Sequence, residues 1–303
     1  MIMPPRPPSE LFSVPFEVVE PERRTTPLVF NSPHSGTDYP PEFIEQSCLD
    51  PHTLRRSEDC HVDRIFAGVI SLGAPLIRVH VPRAYLDLNR EPYELDPSMF
   101  ADRLPAYVNC TSIRVAGGLG TIPRLVSDTA EIYRRPLRFS EAENRIKSLY
   151  FPYHRLLANV LDESYVEFGN VVLIDCHSMP SMVATPISGD MHVRPDFVLG
   201  DRYGASCATA LTDYVFEKLS CRGFTVSRNR PYAGGHITQI HGRPSEGRHA
   251  LQIEINRALY MDEVTLTLHD GFNRLVAELD AVLAALKEDL PRLISQERRL
   301  AAE

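Results

Sequence analysis

The sequence has no apolar run approaching the roughly 20 residues that cross a bilayer as a helix, which excludes a helical membrane-spanning protein. It has no Cys-x-x-Cys pair either. Its six cysteines, at 48, 60, 110, 176, 207 and 221, show no disulfide-framework spacing, as expected of reduced thiols in a cytoplasmic protein. Basic charge is not in excess. A formal net charge of -8 argues against a general nucleic-acid binder, while local arginine clusters leave room for an anion pocket. No apolar signal core follows Met1: the start, through Pro8, is a proline-rich tail, which argues against secretion. Neither an internal repeat nor a low-complexity linker divides the chain. What remains is a globular balance of 43% hydrophobic and 24% charged residues over 303 positions, enough for one large α/β domain or two smaller ones.

Hydrophobic periodicity places the elements. Pro27-Leu-Val-Phe-Asn-Ser32 reads as the first strand, stopped by the turn Pro33-His34-Ser35-Gly36. From about Thr53 to Leu72 the spacing of Leu54, Val62, Ile65, Phe66, Val69 and Ile70 predicts an amphipathic helix. Ala74 to Val81 reads as a second strand. Pro92 to Pro136 lacks sustained periodicity and is rich in Pro, Gly and Arg; irregular stretches of that length inside a domain are commonly functional. Ser140 to Leu161 reads as a helix that Pro152 kinks or breaks. Asn170 to Ile174 is a buried strand ending in Asp175 and His177, broken by Ser178, Met179 and Pro180. Strands at 196–200, 223–227 and 249–256, a helix at 203–219 and a last helix from 262 or 263 to about 287 complete the pattern. Alternating strands and helices predict a single three-layer α/β domain over 27–290, with a mixed central sheet covered by helices on both faces. An arm at 1–26 precedes it and a charged tail at 291–303 follows.

Several side chains stand where chemistry is done. His34 and His177 both sit at expected strand ends, where open sheets place ligands, and zinc hydrolases use three His or carboxylate ligands while leaving one position open. The third ligand must be a carboxylate, and Glu58, Asp59 and Asp63 are the choices on the expected helix; spacing alone leaves them open, Asp59 and Asp63 sharing one face. In Leu251 to Ile255, alternation puts Gln252 and Glu254 opposite the apolar residues. Glu254 therefore either meets solvent at a sheet edge or stands in a cleft, where desolvation raises its pKa toward that of a useful general base. Asn89 and Arg90 can form a fork for a carboxylate, and Arg83 can polarise a carbonyl.

Taken in order, Pro33-His34-Ser35-Gly36, Asp87-Leu-Asn89-Arg90-Glu91, Asp175-Cys-His177-Ser178, Gly234-Gly235-His236 and Leu251-Gln-Ile-Glu254-Ile resemble the motif series of the N-formylglutamate amidohydrolases, from about residue 26 to residue 263. The Asn-Arg pair, the Asp-x-His-Ser strand end and the late glutamate are also similar to those of zinc carboxypeptidases and acylamino-acid deacylases. One departure matters. Those relatives carry a glutamate three residues after the first histidine, whereas Thr37 stands here and Asp38 one further on. The third ligand then comes from elsewhere, and Asp59 is the choice.

The resemblance implies a zinc-carboxypeptidase-like fold, one Zn2+ per chain held by His34, Asp59 and His177, and hydrolysis of N-formyl-L-glutamate to formate and L-glutamate in cytoplasmic histidine degradation. It implies Glu254 as the proton carrier, Arg83 as a stabiliser of the oxyanion, and Asn89 and Arg90 as the grip on the α-carboxylate. The side-chain carboxylate needs a further cation, with Arg103, Arg134 and Arg230 available, and His236 joins the substrate-binding set. The expected partner is a small N-acyl acidic amino acid, with no nucleic acid and no membrane. The rival readings are a zinc deacylase or carboxypeptidase-like hydrolase with another substrate, and a non-catalytic carboxylate-binding protein on the same fold.

Overall fold

The computed structural model describes residues 7–126, 130–181 and 195–300. The first six residues of the expected arm, positions 127–129 of the irregular stretch and the last three of the expected tail lie outside the described residues. Seven strands, β1 (Phe16–Val19), β2 (Leu28–Ser32), β3 (Leu76–Val79), β4 (Val171–Met179), β5 (Phe197–Gly200), β6 (Val226–Arg228) and β7 (Arg248–Asn256), form one sheet. Their order is β1-β3-β2-β4-β7-β5-β6. The sheet is mixed, as expected: β4 runs parallel to β2 and to β7, while β5 pairs antiparallel with β7. No helix among the described residues is long and apolar enough to cross a membrane.

By its contacts the chain divides into two compact units, one made of residues up to Glu17, Pro33–Cys60 and Arg78–Leu157, the other of Val18–Ser32, His61–Ile77 and Ala158 onward. The second holds β2, β4, β5, β6 and β7. Every residue of β4 is buried, and so are eight of the nine in β7, Arg248 excepted. Strands covered on both faces need apolar residues at nearly every position. Val171 to Ile174 and Ala250, Leu251, Ile253 and Ile255 meet that need. In the same unit the helices Thr209–Ser220 and Gly271–Leu300 pack together, joined by the Tyr214 hydroxyl, which donates to Asp289 at 2.6 Å. The first unit holds the short helices Pro41–Gln46 and Pro51–Arg55, the long irregular stretch and the helical run beginning at Phe139.

Several boundaries differ from the sequence reading. The arm contains β1, a strand too short and too polar in its surroundings to show a period. The helix expected over 53–72 is instead three short turns, Pro51–Arg55, Val62–Ile65 and Ala67–Ile70. Residues 56–61 between them are not helical, and His61 takes a left-handed φ of 65°. The face-sharing argument for Asp59 and Asp63 therefore fails, because it presupposed a continuous helix. β4 runs through Asp175, His177 and Ser178 to Met179 rather than stopping at Ile174, since β7 pairs with it along its whole length. The helix expected over 203–219 begins only at Thr209. The last helix starts at Gly271 and continues through Pro291 to Leu300. Around Pro152 the chain stays helical. A π-helical turn, Ile146–Tyr150, precedes the helix Phe151–Phe168, and such a turn accommodates the missing N–H of a proline.

One glycine fixes the segment that carries His34. A Cβ on Gly36 would lie 2.2 Å from the Val81 carbonyl oxygen, against backbone that has no room to retreat. Gly36→Ala is expected to destabilise the protein by about 1–3 kcal/mol, the usual cost of overpacking. Urea unfolding will show this as a lower midpoint at unchanged slope; an unchanged midpoint would mean that the segment is free to move.

Candidate active site

Parallel strands bring their carboxyl ends to one edge, and here the register does so in rows. Asn31 of β2, Asp175 of β4 and Gln252 of β7 are paired across the sheet, and two residues further on His177 stands beside Glu254. Side chains of paired positions share a face. The side chains are linked accordingly: Asn31 Nδ2 donates to Asp175 Oδ1 at 2.9 Å, Asp175 Oδ2 lies 3.0 Å from His177 Nε2, and Gln252 Nε2 donates to Glu254 Oε1 at 2.8 Å. Glu254 is 8% exposed and lies on a strand with neighbours on both sides, so the solvent-edge reading of this residue is excluded. Gln252 Oε1 also accepts from the Gly235 N–H at 2.8 Å, and Gly200 leaves room for that loop: a Cβ there would meet the Gly234 nitrogen at 2.8 Å. The helix His236–His241 follows, with His236 half-buried at its start. At its end, burial pushes His241 down to about 4 against the pull of the Asp175 charge, so that ring is neutral near pH 7.

His34 belongs to a second set of contacts. Its Nε2 lies 2.7 Å from Asp87 Oδ1 and its Nδ1 faces Asp59 Oδ2 at 3.4 Å. Backbone fixes that neighbourhood, because the Asp59 N–H donates to the His34 carbonyl at 2.9 Å and Ser35 Oγ donates to the Asp59 carbonyl at 3.3 Å. Asp87 is the hub. Besides His34 it receives Arg83 Nε at 3.0 Å and the Asn89 N–H at 2.9 Å, and Arg90 Nη2 stands 3.6 Å away. Burial opposes its charge, but Arg90, His34 and Arg83 together hold the Asp87 carboxyl well below the usual carboxylate range. Burial lowers the Arg90 pKa, Asp87 works against that, and Arg83 and Arg114 add to it.

Ligand atoms of His34, Asp59 and His177, all three buried, lie within 4.8 Å of one another. Both imidazoles have Nε2 against a carboxylate, Asp87 for His34 and Asp175 for His177. Metal-binding histidines are oriented in this way, with the other ring nitrogen left for the metal. Of the three carboxylates left open by spacing, only Asp59 falls in this group. Glu58 is turned to Tyr39, whose hydroxyl donates to it at 2.8 Å, and to Arg55; burial raises its pKa despite both partners. Asp63 sits half-buried in the first turn of Val62–Ile65.

Arg83, Asn89 and Arg90 gather around Asp87 as described. Arg103, Arg134 and Arg230 are exposed, and Arg134 Nε donates to the Ser47 carbonyl. The sequence reading gave Asp87 and Asp175 no role of their own. Asp175 was legible, being two residues from His177 on one strand face. Asp87 was not, because a loop aspartate before an Asn-Arg pair has no period to set its direction.

Three kinds of comparison bear on this arrangement. The family model for N-formylglutamate amidohydrolase matches residues 26–261. An N-formylglutamate deformylase of Pseudomonas aeruginosa is 33% identical over 251 residues, 82% of this chain and 86% of that one. An N-formylglutamate deformylase of Pseudomonas putida is 27% identical, covering 78% and 82%. The crystal structure of an N-formylglutamate amidohydrolase from Ralstonia eutropha, 37% identical, superposes with a TM-score of 0.85 over 92% of this chain and 99% of that one. A gene product of Agrobacterium tumefaciens, 19% identical with a TM-score of 0.57, shares the fold.

The hub can be tested without any ligand. Asp87→Ala leaves the half-buried Arg90 without its buried carboxylate, and removing one partner of a buried pair typically costs about 3–5 kcal/mol. Denaturant unfolding is expected to show a loss of that size, whereas a loss below about 1 kcal/mol, the range of surface pairs, would remove Asp87 from the centre of the network.

Proposed function

We propose, because the chain belongs to the N-formylglutamate amidohydrolase family, that it is a zinc-dependent enzyme releasing formate from N-formyl-L-glutamate. Amidohydrolase chemistry comes with the family, and the observation that carries the zinc reading is the buried His34, Asp59 and His177 group. Two imidazoles and a carboxylate are a donor set that suits zinc, and the paired Asp87 and Asp175 fix both rings. The residues therefore fit the metal, and zinc when bound would polarise the formyl carbonyl and make water a better nucleophile.

The protein's own groups do the rest. Glu254 accepts a proton from the attacking water and hands it to the leaving amine as the C–N bond breaks, so formate and the free amino group form together. Gln252 Nε2 donates to Glu254 Oε1 at 2.8 Å and so orients the carboxylate. Arg83, fixed by Asp87, stabilises the oxyanion. Asn89 and Arg90 hold the α-carboxylate, for which a planar guanidinium is the better match than an ammonium.

Formate release from N-formyl-L-glutamate by the purified protein, combined with metal analysis, tests this reading. About one zinc per chain is expected; full activity after thorough chelation, with no metal detected, would overturn the zinc mechanism. His177→Ala is expected to lose both metal and turnover. Glu254→Gln keeps shape and hydrogen bonding but accepts no proton. It is expected to retain metal while kcat falls by roughly 10²- to 10⁴-fold, and a kcat within about threefold of wild type would assign the proton transfer elsewhere.

A further inference from the structure

The Pro92–Pro136 stretch carries an arginine that no motif singles out. Arg114 lies on the short turn Ile113–Ala116, which is fastened to the Asp87–Leu95 segment by backbone bonds: the Thr121 N–H donates to the Glu94 carbonyl at 2.8 Å and the Asp87 N–H to the Thr121 carbonyl at 2.9 Å. Leu119 joins it to the carboxylate fork. Its N–H donates to the Arg114 carbonyl at 2.8 Å, and its own carbonyl accepts from Arg90 Nε at 2.9 Å. A Cβ on Gly120 would meet the Glu94 carbonyl oxygen at 2.2 Å, so this strap is packed closely onto the segment that holds Asn89 and Arg90.

The arginines of this neighbourhood differ in what they are tied to. Arg83 is held by Asp87 at 3.0 Å, and Arg90 is oriented by the Leu119 carbonyl, by the Asn89 carbonyl at 3.0 Å and by Asp87. The Arg114 guanidinium makes no side-chain hydrogen bond among the described residues; its nearest acidic contact is Glu94 Oε2, 3.9 Å from Nη1. That oxygen is itself buried and has no hydrogen-bond donor among the described residues, although Ser112 donates to the other oxygen of the same carboxylate. A half-exposed guanidinium held only loosely is a site for a carboxylate, and its fork can bind one bidentately.

We infer that Arg114 is the specificity-determining residue that binds the side-chain carboxylate of the substrate, next to the Asn89–Arg90 grip on its α-carboxylate. The inference rests on the proposed reaction with an N-formyl acidic amino acid and names the residue that makes the site prefer it. Glu94 positions the guanidinium while unliganded, and the substrate's carboxylate supplies the hydrogen bonds that Glu94 does not.

The test compares kcat/KM for N-formyl-L-glutamate with that for N-formyl-L-glutamine, which has nearly the same shape and lacks the charge. In Arg114→Gln the ratio of the two is expected to fall by about 100-fold, the scale of a lost partly buried charge pair, with Arg114→Lys recovering only part of it. A ratio within about threefold of wild type in both variants would overturn the assignment. Arg114→Lys keeps the charge and serves if the glutamine variant does not fold. Should wild type release formate from neither compound, the reaction proposed above fails. Binding then decides the inference alone: glutarate, but not butyrate, should raise the Tm of wild type, raise that of Arg114→Lys less and leave that of Arg114→Gln unchanged, and equal effects on all would overturn it.

Discussion

A buried carboxylate at position 87 is the constraint from which much of this molecule follows. An ionised side chain taken out of water is costly unless opposite charges and donors surround it. Asp87, 2% exposed, meets that demand with two guanidiniums, an imidazole and a backbone N–H. Each partner is thereby fixed as well. The ring of His34 is turned so that its other nitrogen faces Asp59, Arg83 is held with its Nη1 3.7 Å from Asp59 Oδ1, and Arg90 is drawn inward where its burial lowers its own pKa. Interactions sharing one hub are not additive. The cluster is best understood as a single unit that is either assembled or not.

The polar rows of the sheet are set by register rather than by charge. A one-residue slip between β4 and β7 would carry Asp175 and His177 to the opposite face. It would set them against the side that Leu251, Ile253 and Ile255 bury. The apolar residues of that face therefore hold the polar row in place, and Gln252 ties Glu254 and the Gly235 loop to it. Rigid strands are better supports for a catalytic constellation than loops, because their side-chain directions are set by the pleat.

How much of this could be read beforehand depended on periodicity. β4 and β7 announced themselves through β-branched runs, and the alternation around Glu254 gave its face correctly because a strand's period is two. The helix over 53–72 was misread because Val62, Ile65, Phe66 and Val69 do lie at helical spacing. The left-handed His61 and the Asp59–His34 backbone bond interrupt it for reasons of tertiary contact. Asp59 is nonetheless the carboxylate that lies with His34 and His177, and it was reached through a missing glutamate and not through helix geometry. Three of the candidate arginines, Arg103, Arg134 and Arg230, were chosen only for being present in aperiodic sequence, where nothing encodes direction.

In the proposed reaction, specificity is written on just such aperiodic sequence. The 92–136 stretch has little regular structure, yet its backbone bonds are local and numerous: Leu95 to Asn109, Asn109 to Tyr93, Thr121 to Glu94 and Arg124 to Gly118. Such a strap can exchange surface residues without disturbing the hub or the sheet, because it is held by main chain and by a few close approaches such as Gly120. The groups proposed to carry out bond cleavage sit on strands and around Asp87, where substitution costs folding energy. The groups that choose among substrates can then sit on a loop scaffold that tolerates change. A second cation placed beside Arg90, on an element fastened to the first, follows that division: in the proposed reaction it would add selectivity for a dianion while leaving the proton-transfer geometry untouched.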